Sequence, residues 1–148
     1  MKPDIAVQNA TSFTPVPSSR QFERWASAAL RKHGDAELLI RLVDRQESRR
    51  LNARYRHENN ATNVLSFPAD LPEEVGLALL GDIIICAPIV AEEARDQHKT
   101  AEAHWAHLTI HGILHLLGHD HRGEEEASEM ESLETRILQS LGFPDPYY

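Results

Sequence analysis

His111-Gly112-Ile113-Leu114-His115-Leu116-Leu117-Gly118-His119-Asp120-His121 sets three histidines in the spacing H-x3-H-x5-H, with a glycine between the second and third. Four residues is slightly more than one helical turn, so His111 and His115 project side by side from one helix face. Gly118 can take a backbone conformation closed to other residues, end the helix and return the chain so that His121 meets the other two. Three imidazoles converging in this way make a three-ligand metal site with an open fourth position. That is the ligand count of a catalytic zinc rather than a structural one.

The reading requires a helix over about residues 101–117, and its wheel has two stripes. Ile110, Ile113, Leu114 and Leu117 form a core-facing stripe, and His104, His107, His111 and His115 run beside it. The ligands therefore project along the flank of the core, into a groove open to water and substrate. His104 and His107, lying N-terminal to the ligands, read as exposed residues or as supports for them. His119 is an alternative third ligand that needs a tighter return, and Asp120 reads as a turn residue or as an orienting partner for a ligand imidazole. Zinc peptidases of the H-E-x-x-H type place a glutamate base directly after the first histidine. Here that position is Gly112, which disfavours peptide hydrolysis. Phosphodiester hydrolysis asks instead for neutralisation of developing negative charge, which a metal and an arginine supply.

Outward from this helix, the pattern mixes strands and helices. Asp4 to Gln8 alternates weakly, as an edge strand does, and residues 10–19 read as a loop leading to a helix that opens at Ser18 or Ser19. In that helix Phe22, Trp25, Ala29 and Leu30 recur at helical spacing, with Gly34 as the stop. Residues 37–43 form a largely buried strand, and Asp44 with Glu47 resembles a capping pair before an arginine-rich helix to about Tyr55. Residues 57–62 are a polar loop, 63–67 a strand ended by Pro68, and 77–86 a strand interrupted at Gly81-Asp82. The chain is helical from Pro88, with a break near Lys99-Thr100. A last helix opens with Glu124, Glu125 and Glu126 at its positive end and buries Leu133, Ile137, Leu138 and Leu141. This order predicts an α+β or α/β class, built as a single domain over residues 1–148 around one small sheet.

Charge is divided along the chain. Residues 1–56 hold 11 Lys and Arg against 6 Asp and Glu, whereas residues 57–148 hold 4 against 17. The positive half is mostly arginine (Arg41, Arg45, Arg49, Arg50, Arg54 and Arg56), whose planar fork suits phosphate. The acidic half argues against nonspecific coating of nucleic acid, so an RNA contact must be local. Cys86 is the single cysteine, set in the apolar run Ile83-Ile84-Ile85, and packs as a small apolar residue rather than acting as a nucleophile. No segment has the length and apolarity of a signal peptide or a bilayer span, which points to a cytoplasmic protein without membrane contact.

Two blocks resemble the YbeY family of bacterial endoribonucleases, also described as rRNA maturation factors. The first, residues 111–121, matches the family's H-G-x-L-H-L-x-G-x-D-H. The second is Leu51-Asn52-Ala53-Arg54-Tyr55-Arg56 followed by Thr62-Asn63-Val64-Leu65-Ser66-Phe67-Pro68, and Gly81-Asp82-Ile83 fits a third element. The resemblance covers roughly residues 37–142. It implies an α+β fold, with helices packed on a small mixed four-stranded sheet and a zincin-like metal helix. It also implies one zinc ion per chain held by His111, His115 and His121, with Arg56 functionally important near the metal. His119 departs from the tyrosine common in the family and adds a titratable group beside the site.

The resemblance further implies single-strand specificity and a role in 16S rRNA 3′-end maturation and 70S ribosome quality control, so the expectation is a zinc-dependent endoribonuclease with His111 and Arg56 catalytic. The implied partners are ribosomal RNA and the small subunit, with a ribosomal protein or a GTPase as a further candidate. The group that takes the nucleophile's proton is open between His119, solvent at the metal and the RNA 2′-hydroxyl. The rival reading is a non-catalytic assembly factor, stabilised by zinc, that binds rRNA or a ribosomal protein.

Overall fold

A computed structural model describes residues 3–69, 79–119 and 123–147. Asp120 and His121 lie outside the described residues. Four strands, β1 (Asp4–Asn9), β2 (Glu37–Val43), β3 (Val64–Pro68) and β4 (Leu79–Cys86), form one sheet in the order β1-β2-β4-β3. β1 and β4 run parallel to β2, while β3 is antiparallel to β4 and takes an edge. The sheet is therefore mixed. With α1 (Ser19–Ala29), α2 (Arg45–Arg56), α3 (Ala87–Asp96), α4 (Ala101–Leu116) and α5 (Glu124–Ser140) it makes the α+β architecture that the sequence implies.

Side chains alternate between two faces along each strand. Leu38, Ile40, Leu42, Ile83 and Ile85 pack into one large core with Phe22 and Trp25 of α1, Trp105, Ile110, Ile113 and Leu114 of α4, and Met130 and Leu138 of α5. Edge-to-face contacts join Phe22 to Trp25 at 5.5 Å and to Trp105 at 5.9 Å between ring centres, a favoured aromatic geometry. The opposite face carries a smaller cluster of Val43, Leu65, Ile84 and buried Cys86, roofed by Leu51 of α2 with Phe67 and Ile89. Thus α4 and α2 lie on opposite sides of the sheet.

Local signals account for most boundaries. Ser18 and Gln21 form a reciprocal capping box at the start of α1, and Thr100 caps α4 by accepting from the Ala103 amide at 3.1 Å. The expected Asp44–Glu47 capping pair does not form. Asp44 instead receives hydrogen bonds from Thr11 and Ser12, and Glu47 makes a two-pronged ion pair with Arg41 at 2.7 and 3.0 Å. The reason is tertiary: β1 and the loop after it bring donors that the local sequence does not show.

A candidate metal centre on helix α4

α4 is the central helix. His104 to Ile110 are all buried, with Gly112 to Leu114 behind them, so the helix is enclosed on more sides than its two stripes suggest. It packs closely against β3 and β4 at Gly112. A Cβ there would meet Ile83 Cγ2 at 3.0 Å and Ser66 Oγ at 3.2 Å, and the Ser66 hydroxyl donates to the Gly112 carbonyl at 3.1 Å. The position after the first histidine thus faces the sheet. A glutamate base of the peptidase type has no room there.

At its C-terminus α4 ends as the glycine predicts. Gly118 has φ +100°, its amide donates to the His115 carbonyl at 3.0 Å, and the His119 amide donates to Leu114 at 3.0 Å. This pair of bonds is the Schellman arrangement, which reverses the chain in one step. His119 follows the turn and lines a groove with Leu114, Leu117, Ile137 and the end of α1.

The four histidines of the flank form a ladder, with ring centres 6.1, 6.2 and 4.6 Å apart from His104 through His107 and His111 to His115. His111 and His115 direct their Nε2 atoms at each other across 3.1 Å. Two nitrogens bound to one tetrahedral zinc stand about 3.3 Å apart, so this pair fits a shared ion. The side chain of His111 is 21% exposed, which leaves solvent access on that side. The third predicted ligand, His121, falls among the residues the structure does not describe.

Behind the pair stands a group that the sequence reading missed. Glu134 of α5 is wholly buried, in a helical stripe with Met130 and Leu138. Its carboxylate receives His111 Nδ1 at 2.7 Å and the Tyr147 hydroxyl at 2.6 Å, and His107 Nε2 lies 3.4 Å away. Burial pushes the Glu134 pKa up, but hydrogen bonds from His107, His111 and Tyr147 outweigh it and bring the value to about 2. Burial and the bond to Glu134 hold the Tyr147 hydroxyl well above its usual pKa. His107 is pushed down, chiefly by burial, and its Nδ1 has no hydrogen-bond partner among the described residues. His107, His111 and Glu134 also bring one donor atom each within 4.8 Å of one another, a grouping that could itself hold a metal. One legible signal for Glu134 existed: it is the charged residue at helical spacing among the apolar Met130, Ile137, Leu138 and Leu141.

His104 is buried as well, contrary to the exposed alternative for it, and its Nε2 meets Glu93 at 2.9 Å. Asn63 donates to the same carboxylate at 3.0 Å, which engages it inside the fold, as Ser66 is engaged by Gly112. The hydrogen bond from His104 holds Glu93 below its ordinary pKa against the opposing effect of burial.

Arg56 closes α2 on the other face of the sheet, where it lines a polar cleft of about 370 Å³ with Asn52, Glu58, Asn60 and Thr62. Its neighbour Tyr55 rests against Phe67 at 5.1 Å between ring centres. Phe67 adjoins Ser66 in β3, and Ser66 bonds Gly112 beside His111. Among the other arginines, Arg41 is committed to Glu47 and Arg45 to Glu92. Arg49 bonds Asn59 at 3.1 Å, and the Arg54 guanidinium sits 5.3 Å from the centre of the Tyr55 ring.

Similarity to known proteins agrees with this architecture. The family model described as Endoribonuclease YbeY matches residues 6–142. A protein named Endoribonuclease YbeY from Pseudomonas entomophila (strain L48) is 54% identical over 146 residues, covering 97% of this chain and 92% of that protein. The solution structure of TM1509 from Thermotoga maritima superposes with a TM-score of 0.59 at 26% identity, covering 93% of this chain and 91% of the other. The chain belongs to the YbeY endoribonuclease family.

Proposed function

We propose that the chain is a zinc-dependent endoribonuclease that cuts single-stranded RNA in the cytoplasm. Its task on this reading is to mature the 3′ end of 16S rRNA and to support 70S ribosome quality control. The observation that carries the reading is the Nε2–Nε2 approach of His111 and His115 at 3.1 Å on a partly exposed flank. His121 is the third ligand in this proposal. A divalent ion bound there supplies Lewis-acid charge at the scissile phosphate.

The chain's own residues do the rest. The histidines fix where the phosphate must lie, and Arg56 meets negative charge that grows on the phosphoryl oxygens as the bond breaks. On this reading one RNA strand contacts both. Arg49, Arg50 and Arg54, on the same helix as Arg56, hold flanking phosphates through charge that salt screens. A ribosomal protein or a GTPase bound at the small subunit would confer the choice of cleavage position.

Replacing His111 and Arg56 separately with alanine tests this, with RNA cleavage and bound zinc measured together. The His111 variant should lose both metal and cleavage, and the Arg56 variant should keep zinc while cleaving poorly. Full cleavage by both variants would remove the mechanism. Zinc-dependent folding with no RNA cleavage by the intact protein would favour the non-catalytic assembly factor.

A further inference from the structure

The side chain of Glu134 takes no part in the chemistry just described, yet it is the most completely enclosed charge among the described residues. A buried carboxylate persists only when its oxygens are satisfied. Here they are satisfied by His111 Nδ1, by the Tyr147 hydroxyl and by the approach of His107 Nε2. His107 Nε2 in turn lies 3.2 Å from the Tyr147 oxygen, which has a lone pair free to accept because its own proton points at Glu134. Three elements, α4, α5 and the chain after α5, close on one carboxylate.

The chemistry of that carboxylate decides the state of His111. An ionised carboxylate only accepts hydrogen bonds, so the nitrogen facing it must carry the proton. With the proton on Nδ1, the lone pair of His111 sits on Nε2, the atom that faces His115. The separation of 2.7 Å between Nδ1 and Oε1 also speaks against an ion between them. Two atoms sharing a zinc at about 2.0 Å each would stand about 3.3 Å apart in tetrahedral geometry. The observed 2.7 Å suits a direct hydrogen bond instead.

We infer that Glu134, braced by Tyr147 and His107, is a positioning residue: it locks the tautomer and ring plane of His111 so that Nε2 is presented to the ion beside His115. This inference rests on the histidine metal site proposed above. It assigns Glu134 and His107 to the support of that site rather than to its ligand set. Partners of this kind are worth roughly 10- to 100-fold in metal affinity.

The test uses the full-length protein, with zinc affinity measured by competition against a chelator and the His111 ring nitrogens followed by 15N NMR without metal. Glu134→Gln should bind zinc roughly 10- to 100-fold more weakly, and its His111 should show a mixture of tautomers where the parent shows Nδ1–H alone. Tyr147→Phe, a milder change at an exposed side chain, should weaken zinc by about tenfold at most and guards against a Glu134 variant that does not fold. His115→Ala should abolish stoichiometric binding, and His107→Ala should only weaken it. Parent-level affinity in both Glu134→Gln and Tyr147→Phe would overturn the positioning role and leave the histidine site intact. Zinc retained by His115→Ala but lost by His107→Ala and Glu134→Gln would place the ion on the Glu134 side, overturning the inference and the ligand assignment together.

Discussion

Helix α4 carries a row of histidines and helix α2 a row of arginines, and the two rows are built in opposite ways. The histidines of α4 are packed between α3, α5 and the sheet, and the described ring nitrogens that are satisfied face a carboxylate, a phenol or another ring. The arginines of α2 stand outside the smaller core, three of them (Arg45, Arg49 and Arg56) lining open polar clefts. Chemistry that needs a fixed lone pair is placed where neighbours hold it. Chemistry that needs only positive charge is left in water, where a flexible guanidinium can follow a phosphate.

The contrast predicts large, structure-coupled effects on α4 and small, salt-dependent ones on α2. Replacing His111 with alanine should remove several kcal/mol of transition-state stabilisation, a loss on the order of 1,000-fold in cleavage rate, read by single-turnover assay. Gly112→Glu should be the most destabilising change on the helix. It drives a Cβ into Ile83 and buries a charge without a partner, and denaturant melts should show a loss of about 3 kcal/mol or more. Unaltered stability would mean that α4 can leave the sheet.

Acid should weaken the fold through the same network. His107 is held below its ordinary pKa in the native state, so the unfolded chain binds more protons just below that value and folding loses free energy there. Stability should be complete above about pH 6.5 and should fall as pH drops toward the depressed native value. Below pH 4.5 Glu134 adds to the loss, down to its native pKa of about 2. In His107→Gln the first of these declines should shrink, which melting curves from pH 7 to pH 5 would show.

On α2 the expected change is the smallest. Arg50→Ala should shift stability by no more than about 0.5 kcal/mol, since the side chain is exposed. It should reduce the slope of log affinity for single-stranded RNA against log salt by about 0.7. An unchanged slope would take Arg50 out of the RNA path.

The same contrast governs what could be read from sequence. The apolar runs of β2 and β4, the Ser18 cap, the acidic first turn of α5 and the Gly118 reversal are local, and each appears where its residues place it. The pairing of His111 with His115 follows from one helical turn. The burial of His104 and His107 was not legible, because the groups that satisfy them, Glu93 on α3 and Glu134 with Tyr147 at the far end of the chain, come from other elements. Strand order was hidden for a similar reason: β3 reaches its edge position only by pairing beyond β4. Asp44 misled because its donors, Thr11 and Ser12, are more than thirty residues away.

A structure of the zinc-loaded protein tests the central claim most directly. The account predicts the ion about 2.0 to 2.1 Å from Nε2 of both His111 and His115, with Glu134 still bonded to Nδ1 on the far side of the His111 ring. An ion held instead by His107 and the Glu134 carboxylate, with His115 turned away, would contradict it.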